Sequence, residues 1–92
     1  MKAITLNKRI EKLGLNKNTL VYKILNQIAS GEKKIHTCQT YGNGRFTRNI
    51  DNTFSICSML DTLKVKYIKG NDAPRGGTYG NYIKVTTKIE NN

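Results

Sequence analysis

Gly70-Asn71-Asp72-Ala73-Pro74-Arg75-Gly76-Gly77-Thr78-Tyr79-Gly80-Asn81-Tyr82 holds four of the chain's eight glycines and its only proline, and it lies between two runs that alternate as β-strands do. Connections between paired strands usually take about two to five residues. A loop this long in a small domain serves contact rather than connection. Its glycines permit positive φ and the close approach of a phosphate or another backbone, and Arg75 brings a planar, permanently charged donor fork. Two compatible arrangements follow. Gly70–Gly77 can form a nest of backbone N–H groups for an anion, or an Ω-type loop in which Asp72 makes an Asx-turn and pairs with Arg75. No GxxxxGK[ST] run is present and the stretch does not open a helix, so it is no P-loop.

The flanking runs predict an antiparallel ribbon. In Lys64–Lys69, Val65 and Tyr67 face one side and Lys64, Lys66 and Ile68 the other. In Tyr82–Ile89, Ile83, Val85, Thr87 and Ile89 point inward while Tyr82, Lys84, Thr86 and Lys88 point outward. Lys64, Lys66, Lys84 and Lys88, interleaved with Tyr82, make a basic, aromatic-bearing face that can lie along a phosphate backbone. The same lysines would equally guard an edge hairpin against aggregation. The tail Glu90-Asn91-Asn92 is expected to fray.

Upstream, Asp51–Leu63 predicts a helix capped by Asp51 or Asn52, with Ile56, Met59, Leu60 and Leu63 on one stripe that Phe54 and Cys57 widen. Further back, Thr5–Leu13 places Leu6, Ile10 and Leu13 at helical spacing, and Gly14 follows where a C-terminal glycine belongs. Asn16 or Asn18 then caps a second helix with a core face of Leu20, Val21, Ile24, Leu25 and Ile28, ended by Ser30-Gly31. Thr19, Tyr22, Lys23 and Asn26 face outward. Glu32–Thr40, with Ile35, Thr37, Cys38 and Thr40, reads as a strand.

Between that strand and the third helix stands Tyr41-Gly42-Asn43-Gly44-Arg45-Phe46-Thr47-Arg48-Asn49, a turn with two arginines beside an aromatic. Arginine for phosphate and an exposed ring for stacking suit single-stranded nucleic acid or a base; the alternative is a core Phe46 with solvated arginines. Tyr41-Gly42-Asn43 recurs as Tyr79-Gly80-Asn81, so both loops use the same material.

Gly14 in a tight turn, Leu15 after it and Leu20 five residues on resemble the general helix-turn-helix pattern. Ile10 stands where that pattern has a small residue, which keeps the first helix from approaching the second closely. The whole order of elements (helix, helix, strand, helix, strand, long loop, strand) resembles a winged helix, which implies a third helix in the major groove. Residues 49–63 carry Asp51 and Asp61 and no Lys or Arg. A helix of that charge meets phosphates badly, so a duplex would be read by Thr19, Tyr22, Lys23 and Asn26 of the second helix instead.

Ninety-two residues suffice for one domain, and a net charge of +10 is the strongest bulk signal. Self-repulsion of that size points to a polyanionic partner or an acidic protein surface. Cys38, Cys57 and the lone His36 lack metal-site spacing, and the cysteines read as reduced thiols. A catalytic Cys38–His36 pair has no third group to orient the imidazole. No run resembles a signal peptide or a bilayer span, so a soluble, cytoplasmic protein is expected. Richness in Lys, Asn and Ile suits a low-GC genome such as many phages carry.

The expected fold is therefore α+β: three short helices on a small antiparallel sheet with a C-terminal β-hairpin, winged-helix-like in order. The expected function is non-enzymatic binding of nucleic acid or a phosphate-bearing nucleotide, without metal or cofactor. Arg45, Arg48 and Arg75 would clamp phosphate, Tyr79, Tyr82 and Tyr41 would stack, and Lys64, Lys66, Lys84 and Lys88 would add attraction. The alternative is an inhibitor or regulator of phage anti-defence type that docks on an acidic protein surface.

Overall fold

The long loop does separate two paired strands. The computed structural model describes residues 1–41 and 48–91, with side chains described outside 39–49. In it β4 (Tyr67–Asn71) and β5 (Asn81–Val85) pair antiparallel, and β1 (Lys34–His36) adds to the other edge of β5, giving the order β1-β5-β4. Opposite Ile35 stands Ile83, and opposite Val85 stands Tyr67, so one face of the sheet is apolar. Three helices cover that face: α1 (Ala3–Lys12), α2 (Leu20–Ala29) and α3 (Thr53–Thr62). Leu6, Ile10, Ile24, Leu25, Ile28, Ile56, Leu60, Leu63, Val65, Ile83 and Val85 form one buried cluster between the layers. Among the described residues no helix is long and apolar enough to cross a membrane.

The first two helices follow their sequence patterns. Leu6 and Ile10, one turn apart, are both buried, and Gly14 turns the chain at φ +66°. Thr19 is the N-cap of α2. Its hydroxyl oxygen accepts the Tyr22 amide at 3.3 Å and donates to the Asn16 carbonyl at 2.7 Å. Asn16 instead makes an Asx-turn, accepting the Asn18 amide at 2.9 Å.

Between residues 32 and 63 the structure corrects the expected boundaries. The single strand Glu32–Thr40 is two, β1 and β2 (Cys38–Tyr41), and β2 pairs with a strand the sequence did not announce, β3 (Arg48–Asp51). The break falls at Thr37, fully buried. Its amide donates to the Asn81 carbonyl at 3.0 Å, and its carbonyl accepts the Asn52 amide at 2.9 Å. Thr37 thus hands the chain from one sheet to the other, and Cys38 leaves the sheet that holds His36. Asp51 ends β3, and its carboxylate accepts the Thr53 amide at 3.0 Å, while Asn52 makes no side-chain cap bond. Phe54, expected in the core stripe, is 87% exposed. It lies about 200° around the helix from Ile56, whose side defines the core.

The end of α3 explains why the following strand starts later than expected. The Val65 amide donates to the Leu60 carbonyl at 2.9 Å and the Lys64 amide to the Asp61 carbonyl at 3.2 Å, with Lys64 at φ +63°. This is a Schellman motif with lysine where glycine is usual. Lys64 therefore closes a helix rather than facing outward from a strand. The left-handed conformation costs a side-chain-bearing residue about 1–2 kcal/mol, so Lys64→Gly is expected to raise stability by about 1 kcal/mol in denaturant titration. A lower stability for this variant would contradict the motif.

At the other end β5 stops at Val85. The Thr87 hydroxyl accepts the Lys66 amide at 2.7 Å, and the Lys66 carbonyl takes both the Thr86 and Thr87 amides. The chain then crosses to α1, where the Ala3 amide donates to the Glu90 carbonyl at 2.7 Å and the Glu90 amide to the Met1 carbonyl at 2.9 Å. Glu90 is thus pinned rather than frayed, and Lys88 lies off the sheet.

Candidate nucleic-acid interface

The sheet's second face turns away from the helices. Strand register places two rows across it: Lys34, Lys84 and Ile68, then His36, Tyr82 and Gly70. The alternation that buries Ile35 and Ile83 necessarily turns Lys34, His36, Tyr82 and Lys84 to the opposite side.

Asp72, the first residue after β4, organises one end of this face. Its carboxylate accepts from Lys34 Nζ at 3.1 Å and from His36 Nε2 at 2.9 Å. These partners, Lys34 first, hold its carboxyl below the usual carboxylate range. Asp72 therefore pairs across the sheet and not with Arg75, and it makes no Asx-turn. That turn belongs to Asn71, whose Oδ1 accepts the Ala73 amide at 2.9 Å. The reason is reach: β1 puts the Lys34 ammonium and the His36 imidazole beside Asp72, while the next turn, closed by the Gly76 amide on the Ala73 carbonyl at 3.1 Å, leaves Arg75 exposed.

Tyr82 is half-buried. Lys34 Nζ sits 4.4 Å from its ring centroid, His36 meets it edge-on at 6.0 Å, and its ring lies over Gly70, where a Cβ would overlap it. The Tyr82 ring, expected to stack on a base, thus already contacts Lys34, His36 and Gly70, and it positions Lys34. Tyr79, 51% exposed, is the accessible aromatic of the loop.

The loop is held from beneath. Asn71 Nδ2 donates at 2.8 Å both to the Gly77 carbonyl and to Asn81 Oδ1. Asn81 Nδ2 donates to Asp51 Oδ2 at 3.0 Å, and the Thr37 and Thr53 hydroxyls lie 2.6 Å apart. The Thr53 hydroxyl also donates to Asp51, which is the main reason its carboxyl titrates below the usual range. Through this network the β2–β3 hairpin packs against the 3-10 turn Thr78–Gly80. The Cys38–Asp51 end of the β2–β3 pair thus adjoins the long loop. Arg45 and Phe46 lie outside the described residues, as do the side chains of Tyr41 and Arg48.

The remaining candidates are dispersed. Lys66 and Lys84 are exposed beside the sheet's outer face, whereas Lys64 is at the end of α3 and Lys88 beyond the strand. On α2, Thr19 is committed to its cap and Tyr22 to the core, its hydroxyl donating to Glu11 Oε1 at 3.2 Å. Asn26 is half-buried and Lys23 exposed. Two of the four thus have structural bonds within one turn of helix, and Lys23 is the exposed cation among them. Lys34, His36 and Asp72 were not singled out as binding residues. The alternation Lys34-Ile35-His36 set against Tyr82-Ile83-Lys84 would have found the first two.

Among the described residues no three His, Cys, Asp or Glu side chains cluster as a metal site. Comparison with protein-family models, with curated proteins and with solved structures returns no match.

Proposed function

We propose that this is a non-enzymatic nucleic-acid-binding protein that uses the outer face of β1-β5-β4, extended by the Arg75–Tyr79 loop. The observation that carries this reading is the placement of Lys34 directly opposite Lys84. Like charges opposed across a strand pair destabilise a sheet, and Asp72 answers only the first of them. A phosphate backbone laid along the strands would answer both, with Lys66 and Arg75 on either side and Tyr79 available to a base. The +10 net charge supplies long-range attraction. A cytoplasmic setting suits the free Cys38 and Cys57 thiols.

The test is an anisotropy titration with single-stranded and duplex oligonucleotides at several salt concentrations. Lys34, Lys66, Lys84 and Arg75 together predict a log–log salt slope of about −3 on single strands and somewhat steeper on duplex. Flat salt dependence, or no binding at low salt, would sink the reading. An acidic protein surface is the alternative occupant of the same lysines; a stoichiometric partner recovered from nuclease-treated lysate would favour it.

A further inference from the structure

The opposite flank of the sheet has an unoccupied edge. β4 is the last strand of β1-β5-β4, and among the described residues no strand pairs with its far side. The Thr86 amide donates to the Lys66 carbonyl and the Asp72 amide to the Gly80 carbonyl. Even-numbered residues of this run therefore turn their backbone toward β5, and the amides and carbonyls of Tyr67 and Lys69 turn outward. The side chains of Tyr67 and Lys69 fall toward α3, whose Phe54, Ser58 and Asp61 follow one another on a single helical face. A groove of about 320 Å³ runs between strand and helix, and beyond Asp61 and Tyr67 it meets a cavity of about 660 Å³ lined by Lys64, Val65, Lys66 and Thr86 at the start of the strand.

We propose that this groove accepts an extended acidic segment of a partner protein, added to β4 as a further antiparallel or parallel strand. Backbone bonds to Tyr67 and Lys69 supply the attachment, and alternate side chains of the added strand drop toward α3. Charge complementarity sets the chemistry. Asp61 is engaged, accepting the Tyr67 hydroxyl at 3.0 Å, while Lys64, Lys66 and Lys69 are exposed around the groove. Phe54, 87% exposed at one end, asks for an apolar side chain beside it. Edge lysines alone would suffice to block aggregation, but they do not account for a groove with an uncovered phenylalanine. The site shares only Lys66 with the Lys34–Lys84 face, and Phe54, Tyr67 and Lys69 lie apart from that face, so the groove does not depend on the nucleic-acid reading.

The probe is a short fluorescein-labelled peptide of alternating glutamate and valine, titrated into the whole protein. Saturable binding is expected, weakened about tenfold by Phe54→Ala or Lys69→Glu, both at exposed positions. Backbone N-methylation distinguishes strand addition from simple charge attraction. Methylating all valines or all glutamates leaves the charge unchanged but blocks opposite edges of the peptide, so one of the two peptides is expected to lose binding and the other to keep it. Bound peptide should also slow hydrogen exchange at the Tyr67 and Lys69 amides. The proposal is overturned by absence of saturable binding, by equal tolerance or equal loss of the two methylated peptides, or by a Lys34→Gln/Lys84→Gln variant weakening the peptide as much as Lys69→Glu does.

Discussion

Replacing Lys34 and Lys84 together by glutamine is expected to weaken binding of a single-stranded oligonucleotide by at least about tenfold at low salt, and to reduce the salt slope by about 1.4. The slope follows from counting: each lysine that neutralises a phosphate on a single strand contributes about 0.7. Stability should move the other way. Lys34 and Lys84 oppose each other across β1 and β5, and relieving like-charge repulsion in such a pair returns a few tenths of a kcal/mol. Lys34 also loses its place over Tyr82 and its bond to Asp72, which offsets part of that gain. Weaker binding by a protein that is no less stable is thus the signature of a contact surface. The control is Lys8→Gln/Lys12→Gln on α1, which removes the same charge from exposed positions elsewhere. Should the two double variants lose affinity equally, net charge alone drives binding and the sheet face has no special part.

Gly80→Ala is expected to cost roughly 1–3 kcal/mol, the range for forcing a methyl group into packed surroundings. A Cβ at this buried position would overlap the backbone of Ala73, on the facing limb of the loop. Neither side can give way without loss. The Gly80 carbonyl accepts the Asp72 amide at 3.1 Å, and the Gly80 amide donates to the Gly77 carbonyl at 3.0 Å. Displacing Ala73 therefore moves Asp72, and Asp72 holds Lys34 and His36. The variant should lower the denaturant midpoint and also perturb the Lys34–His36–Tyr82 cluster, visible as shifted His36 and Tyr82 ring resonances. An unchanged midpoint together with unchanged rings would show that the loop is not packed as described.

These two results bear on different levels of the structure. The lysines act through charge on a surface that the strand register creates, and the glycine acts through packing beneath the loop that ends that surface. A loss of binding in Gly80→Ala, with both lysines intact, would connect them: the face depends on the loop that anchors Asp72.

Much of this architecture was legible from local pattern. Leu6 and Ile10, Ile24 and Ile28, and Ile56 and Leu60 recur at helical spacing, so three helices and their core faces could be read directly. The alternation around Ile83 and Val85, with the long glycine-bearing loop before it, likewise announced a C-terminal hairpin. Such signals survive in a sequence because each element must bury its own apolar stripe. Tertiary contacts decided the rest. Thr37 looks like any strand residue until Asn81 and Asn52 take its amide and carbonyl in different directions. Lys64 reads as the start of a strand until the Schellman bonds of α3 claim it. Asp72 is as near in sequence to Arg75 as to any cation, yet it pairs with Lys34 and His36, thirty-eight and thirty-six residues away, because β1 lies beside β5. Periodicity records which side of an element is buried. It carries no record of which distant polar group will stand opposite, and that choice, made by strand register, is what assembled the candidate face.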